Sequence, residues 1–225
     1  MEIMEQGFTL TRARLKAPRA GAIAGIVFST LFIISLVLIR ISVPANPLDA
    51  GTRFSGAWKT VSLAMYLLPF AGIAFLWFIG VLRDRIGAYE DRFFATVFLG
   101  SGLLFLAMLF AFSAVAGGIM MVYGALPGQL MESGIYTFGR TVAYQIMNVY
   151  AVKMAGVFMI TTCTLAIRIG IFPRWMAFLG YGLALLLLLI SAYLSWTLLV
   201  FPLWVLLISV HILLANLKPK LASGL

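Results

Sequence analysis

A chain of 225 residues that is 63% hydrophobic and only 10% charged cannot clothe a water-facing surface, since soluble domains carry about 25% charged side chains. Its formal charge of +9 sits mostly at the ends of apolar runs, where basic residues anchor helices in a bilayer. That placement argues against nucleic acid as the partner of this basic chain.

The elements follow in chain order. Residues 1–19 form a basic tail, with Arg12, Arg14, Lys16 and Arg19 after two glutamates. The apolar run AGAIAGIVFSTLFIISLVLI begins at Ala20 and is long enough to cross about 30 Å of hydrocarbon. It exceeds the apolar core of a cleaved signal peptide, so an uncleaved first span is expected over 20–43. Pro44, Pro47 and Gly51 mark a short loop. The second span is expected over 57–82, with Pro69 and Gly72 inside it. Arg83, Asp84, Arg85, Glu90, Asp91 and Arg92 then crowd into one turn, and the third span follows over 93–117.

The stretch GGIMMVYGALPGQLMESGIYTFG is the longest connection. It is apolar enough to lie along the membrane interface or to extend a helix. The fourth span is expected over 141–167. Arg168 to Arg174 make a short turn, and Pro173 suits the start of a helix. Residues 175–217 contain no Lys, Arg, Asp or Glu and are too many for one span. They divide into spans over 174–194 and 197–217, with a tight turn within 192–201, and Pro202 either opens or kinks the last helix. A cytoplasmic tail, 218–225, completes the layout.

Six spans place both termini on one side. Eleven basic residues then lie on the terminal side: Arg12, Arg14, Lys16, Arg19, Arg83, Arg85, Arg92, Arg168, Arg174, Lys218 and Lys220. Only four, Arg40, Arg53, Lys59 and Arg140, lie opposite. Positive residues favour the cytoplasmic face. The expected fold is therefore all-α, a polytopic helical membrane protein with six transmembrane helices and both termini cytoplasmic.

Lipid supplies no hydrophobic drive between helices, so close packing calls for small residues. Gly21, Gly25 and Ser29 recur on span one, Ala107 with Ala111 and Ala114 with Gly118 on span three, and Gly180 with Ala184 on span five. They are expected at contacts within the chain or at a homo-oligomer seam. Trp58, Trp77, Trp175 and Trp196 fall near span ends, where interfacial aromatics belong.

Polar chemistry concentrates in the fourth span. Thr141, Gln145, Asn148, Val152, Gly156, Met159 and Cys163 are spaced for one helix face. Lys153 stands at the edge of that stripe, roughly midway between Arg140 and Arg168. A central Lys costs about 2.5–3.5 kcal/mol on insertion scales and usually faces the protein interior or water. All seven acids, Glu2, Glu5, Asp49, Asp84, Glu90, Asp91 and Glu132, fall in the tail or loops. Lys153 therefore either donates to neutral groups and locks the bundle, or lines a polar pathway with Asn148, Gln145 and Thr141.

Catalysis is not expected. Intramembrane proteases need a Ser–His pair, two aspartates or a zinc motif, and general acid–base work needs acids or histidines. The chain has one histidine, His211, and one cysteine, Cys163, which gives no intramolecular disulfide and no paired metal motif. No cofactor or metal is expected, and one His could ligate a haem from one side only.

The segments RAGAIAG, leading into span one, and FPRWMAFLGYGLALLLLL, opening span five, resemble uncharacterised six-span bacterial membrane proteins. The likeness covers most of the chain in layout and the PRW-x-x-x-L-G stretch in wording. It implies a bacterial plasma-membrane setting and supplies no activity. Two classes of function remain. One is a non-catalytic membrane component that packs with itself or a partner in the lipid bilayer. The other is a small oligomeric transporter or channel that uses the fourth-span stripe.

Overall fold

The computed structural model describes residues 2–43, 54–86, 92–126, 134–170, 173–189 and 196–217. Six helices account for nearly all of them, and none of the described residues is in a strand. They are α1 (Glu2–Ser42), α2 (Phe54–Ile86), α3 (Arg92–Ala125), α4 (Ile135–Ile169), α5 (Arg174–Leu189) and α6 (Val200–Leu217). A 3-10 turn, Thr197–Leu199, leads into α6. The loop at 44–53, the charged turn at 87–91, Glu132 with its neighbours, and 190–195 lie outside the described residues.

Among the described residues, five helices are long and apolar enough to cross a membrane: Arg19–Ser42, Trp58–Asp84, Phe93–Ala125, Ile135–Ile169 and Thr197–Asn216. The described part of α5, Arg174–Leu189, is a shorter apolar helix of 16 residues. Several helices run past the apolar stretches that suggest them. α1 begins at Glu2, within the basic tail. α3 and α4 extend to Ala125 and back to Ile135, and so take up both ends of the long apolar connection. In the extended ends of α3 and α4 the backbone satisfies its own hydrogen bonds by staying helical, as an apolar setting requires. Gly170 ends α4 in the left-handed conformation (φ 71°), its N–H donating to the Ala166 carbonyl, as a glycine after a helix commonly does. Pro202 occupies the first turn of α6, where a missing N–H costs least.

The helices neighbour one another in the order α6, α1, α2, α3, α4, α5, and α5 returns to α6 where Gly180 meets Trp204. Aromatic rings fill the middle. Phe75 of α2 is fully buried and stands 4.6 Å from Phe28, 5.2 Å from Phe105, 5.4 Å from Phe158 and 5.6 Å from Phe201, centroid to centroid. Those rings come from α1, α3, α4 and α6, so one side chain ties five helices. Most of these pairs are tilted or edge-on, the arrangement that the ring quadrupole favours.

Small residues set how closely the helices approach. A Cβ on Gly25 would strike Ser209 of α6 and Phe78 of α2, and one on Gly180 would strike Cys163 of α4 and the Trp204 indole. Gly21, Ser29 and Ala184 are buried beside them. The small residues of α3 behave differently. Ala107, Ala114 and Gly118 are exposed and Ala111 is half-buried, so that stripe is not packed within the chain. Trp58, Trp77, Trp175 and Trp196 are all exposed, whereas Trp204 is buried.

Several hydroxyls satisfy themselves locally. Ser35, Ser101, Ser113, Thr161, Thr162 and Thr164 each donate to the carbonyl four residues earlier, a habit of Ser and Thr in helices. At one end of the bundle, the Arg19 guanidinium donates to the Asn216 carbonyl at 2.9 Å. This joins the start of the apolar part of α1 to the last turn of α6, where orphan carbonyls and the helix dipole both favour a cation.

Candidate functional site

α4 is not one uniform helix. Residues Ile146–Ala151 form a π turn between α-helical segments Ile135–Gln145 and Val152–Ile169. A π turn closes its hydrogen bonds over one more residue than an α turn. Face assignments based on 3.6 residues per turn do not carry across it. The stripe expected from spacing is therefore divided. Val152, Gly156, Met159 and Cys163 are buried, but Gln145 is exposed. Thr141 donates to the Thr137 carbonyl on an exposed face at 2.8 Å. Asn148 donates to the Tyr144 carbonyl at 3.1 Å and lies beside a cavity.

Lys153 faces α5. Its Nζ donates to the Leu188 carbonyl at 2.8 Å. Leu188 belongs to α5, so this bond ties Lys153 of α4 to the backbone of the neighbouring helix. The same seam is closed by Gly156, where a Cβ would lie 3.2 Å from the Ala184 carbonyl. A hydrogen bond of 2.8 Å between the Thr164 and Tyr181 hydroxyls joins it farther along.

The four polar residues thus occupy three separate places. Lys153 is in the α4–α5 seam, Asn148 is at the cavity, and Gln145 and Thr141 lie on neighbouring outward faces. Among the described residues, no three His, Cys, Asp or Glu side chains gather where a metal ion could be held.

The cavity has a volume of about 160 Å³ and lies at the end of the bundle opposite the Arg19–Asn216 contact. Leu36 and Arg40 of α1, Met65 of α2, Phe112 and Ile119 of α3, and Tyr136, Arg140 and Met147 of α4 contribute to its lining, with Trp196 before α6. Arg140 is only 9% exposed. Its guanidinium lies beside the Tyr136 phenol, one helical turn away on the same face. The guanidinium carbon of Arg40 stands 5.7 Å from the centre of the Trp196 ring, within cation–π range. Two arginines therefore line one chamber whose remaining walls, Asn148 apart, are aliphatic and aromatic.

Linear reading treats Arg40 and Arg140 as end-of-span anchors and does not pair them. Their convergence is set by the packing of α1 and α4 ends around α2 and α3, which leaves no mark in local spacing. Tyr136 four residues before Arg140 is the one local signal. Comparison with protein-family models, with curated proteins and with solved structures gives no match to this chain.

Proposed function

We propose that the chain is a six-span protein of the bacterial plasma membrane, with both termini cytoplasmic, that acts without catalysis by packing with itself or with a partner membrane protein. The observation that carries this reading is the 2.8 Å bond from Lys153 to the Leu188 carbonyl. It gives Lys153 a structural task as a clamp, which supports packing over a pathway through the fourth helix. The excess of basic residues on the terminal side supports the orientation. The Arg19–Asn216 contact supports a common side for both ends. The outward stripe Ala107, Ala114 and Gly118 on α3 supports a helix-packing surface for a second copy or a partner, since small residues let backbones approach.

A thiol-labelling experiment tests the clamp. In a Cys163→Ser background, Lys153→Cys is placed in native membranes and treated from each side with a membrane-impermeant maleimide. No labelling is expected from either side in protein that inserts and remains monodisperse on extraction. Labelling from either side would put water at residue 153 and overturn the clamp reading. A second reading then gains ground, a small oligomeric transporter or channel. Its specific support is Asn148, a member of the polar stripe that also lines the cavity holding Arg140.

A further inference from the structure

A groove runs along the outer side of the contact between α2 and α3, lined by Tyr66, Pro69, Phe110, Ala114 and Gly117 among others. Tyr66, Pro69 and Ala114 are exposed, so the groove opens outward from two helices that are long and apolar enough to cross a membrane. Met65 of α2 and Met120 of α3 line both this groove and the inner chamber, and they stand between the two spaces. That partition is built to yield. Methionine is unbranched, turns about three bonds and fills gaps of irregular shape. Pro69 has no N–H to offer the Met65 carbonyl one turn earlier, so α2 lacks that backbone bond at the partition itself. A Cβ on Gly117 would meet no atom within 4 Å, which leaves the α3 side of the groove open.

We propose that the chamber receives the end of an acyl chain of a bilayer lipid, which enters from the side, between α2 and α3, past Met65 and Met120. Leu36, Phe112 and Met147 present carbon to the chain, and a chain in place restores the dispersion contacts that an empty space forfeits. Size suits its terminal part. An apolar cavity of about 150 Å³ accommodates benzene, so about 160 Å³ takes roughly a six-carbon portion. The groove, at about 500 Å³, holds the part of the chain nearer the headgroup. Continuity with the outer surface selects a lipid over a solute arriving from water. Leu63, Phe70 and Ile73 of α2 are all exposed, so a chain reaches the partition without leaving apolar surroundings. Arg40 and Arg140 keep their aromatic neighbours, Trp196 and Tyr136, and take no part. The site is on the α2–α3 side of the bundle and is independent of the Lys153 clamp in the α4–α5 seam.

Photo-cross-linking of the full chain tests the site. The protein is reconstituted in vesicles of phosphatidylcholine and phosphatidylglycerol that include a phosphatidylcholine with a diazirine at the end of one acyl chain. After illumination the adducts are mapped by mass spectrometry. They are expected on buried Leu36 or Met147 as well as on outward Leu63 and Ile73. Ala116→Phe, which puts a ring into the chamber, is expected to lose the inner adducts and keep the outer ones without loss of helical circular dichroism. Gly117→Phe, which fills the groove from outside, is expected to do the same and keeps the test decisive if Ala116→Phe does not fold. A free phenyl diazirine dissolved in the same vesicles is the comparison probe. Inner adducts from the free probe alone would make the occupant a small hydrocarbon molecule and overturn the lipid chain. Lipid adducts confined to outward residues, or inner adducts unchanged in either folded variant, would also overturn the proposal.

Discussion

At the scale of single residues, two interhelical hydrogen bonds in the α4–α5 seam carry different weight. Lys153 donates to the Leu188 carbonyl across the seam, whereas Thr164 bonds both Tyr181 and its own Ile160 carbonyl. Loss of the first removes the one bond that Lys153 Nζ is seen to make between these helices; loss of the second leaves Thr164 satisfied. Lys153→Met is therefore expected to lower stability by about 1 kcal/mol, between the ~0.6 average for interhelical bonds in membranes and the ~1.5–3 of charged bonds elsewhere. Tyr181→Phe is expected to cost less than about 0.5 kcal/mol. Thermal unfolding of the purified variants in one detergent decides the order. Equal losses would mean that Leu188 finds another donor. Arg at 153, which retains a donor and a charge, should recover part of the loss.

At the scale of elements, the small residues sort helices into those packed inside the bundle and one that faces out. On Gly180 any side chain meets Cys163 and Trp204, and on Gly118 it meets no atom within 4 Å. Gly180→Val is expected to destabilise by roughly 1–3 kcal/mol, the usual cost of forcing extra carbons into a packed contact. Gly118→Val should leave the unfolding temperature within about 1 °C, because it adds no clash and surface changes are usually within ~0.5 kcal/mol. If α3 is the surface that receives a second copy or a partner, Gly118→Val will instead reduce cross-linking in native membranes. Unchanged cross-linking patterns would remove α3 from that role. The π turn belongs to this scale too. By inserting a residue into one turn it separates the Asn148 side of α4 from the Lys153 side, and so gives one helix two unrelated polar positions.

At the scale of the whole molecule, Phe75 is the point where five helices share contacts. Phe75→Ala is expected to cost roughly 3 kcal/mol, the low end of the range for buried Phe, because lipid is itself apolar and the transfer part of the loss shrinks. A fall in unfolding temperature no larger than that of Lys153→Met would show that the cluster relaxes around the gap. Orientation is a whole-molecule property as well. A green fluorescent reporter fused after Leu225 is expected to fluoresce, and alkaline phosphatase at the same point to be inactive, if the basic excess sets the topology. The reverse pair of results would invert it and move the arginine cavity to the cytoplasmic side.

Sequence alone determined the helical class and the apolar stretches. A chain with so few charges must satisfy its backbone internally, and in lipid a helix does so with local bonds that depend on local composition. It also marked Lys153 as anomalous, since a charge in a long apolar run is visible without any knowledge of its neighbours. Only tertiary structure decided what Lys153 touches, that the stripe through Gln145 and Asn148 breaks at a π turn, and that Arg40 and Arg140 share a chamber. Those outcomes depend on which helix ends converge. In lipid that convergence rests on the fit of side chains such as Phe75, Gly25 and Gly180 between distant segments, and no window of neighbouring residues contains both halves of such a fit.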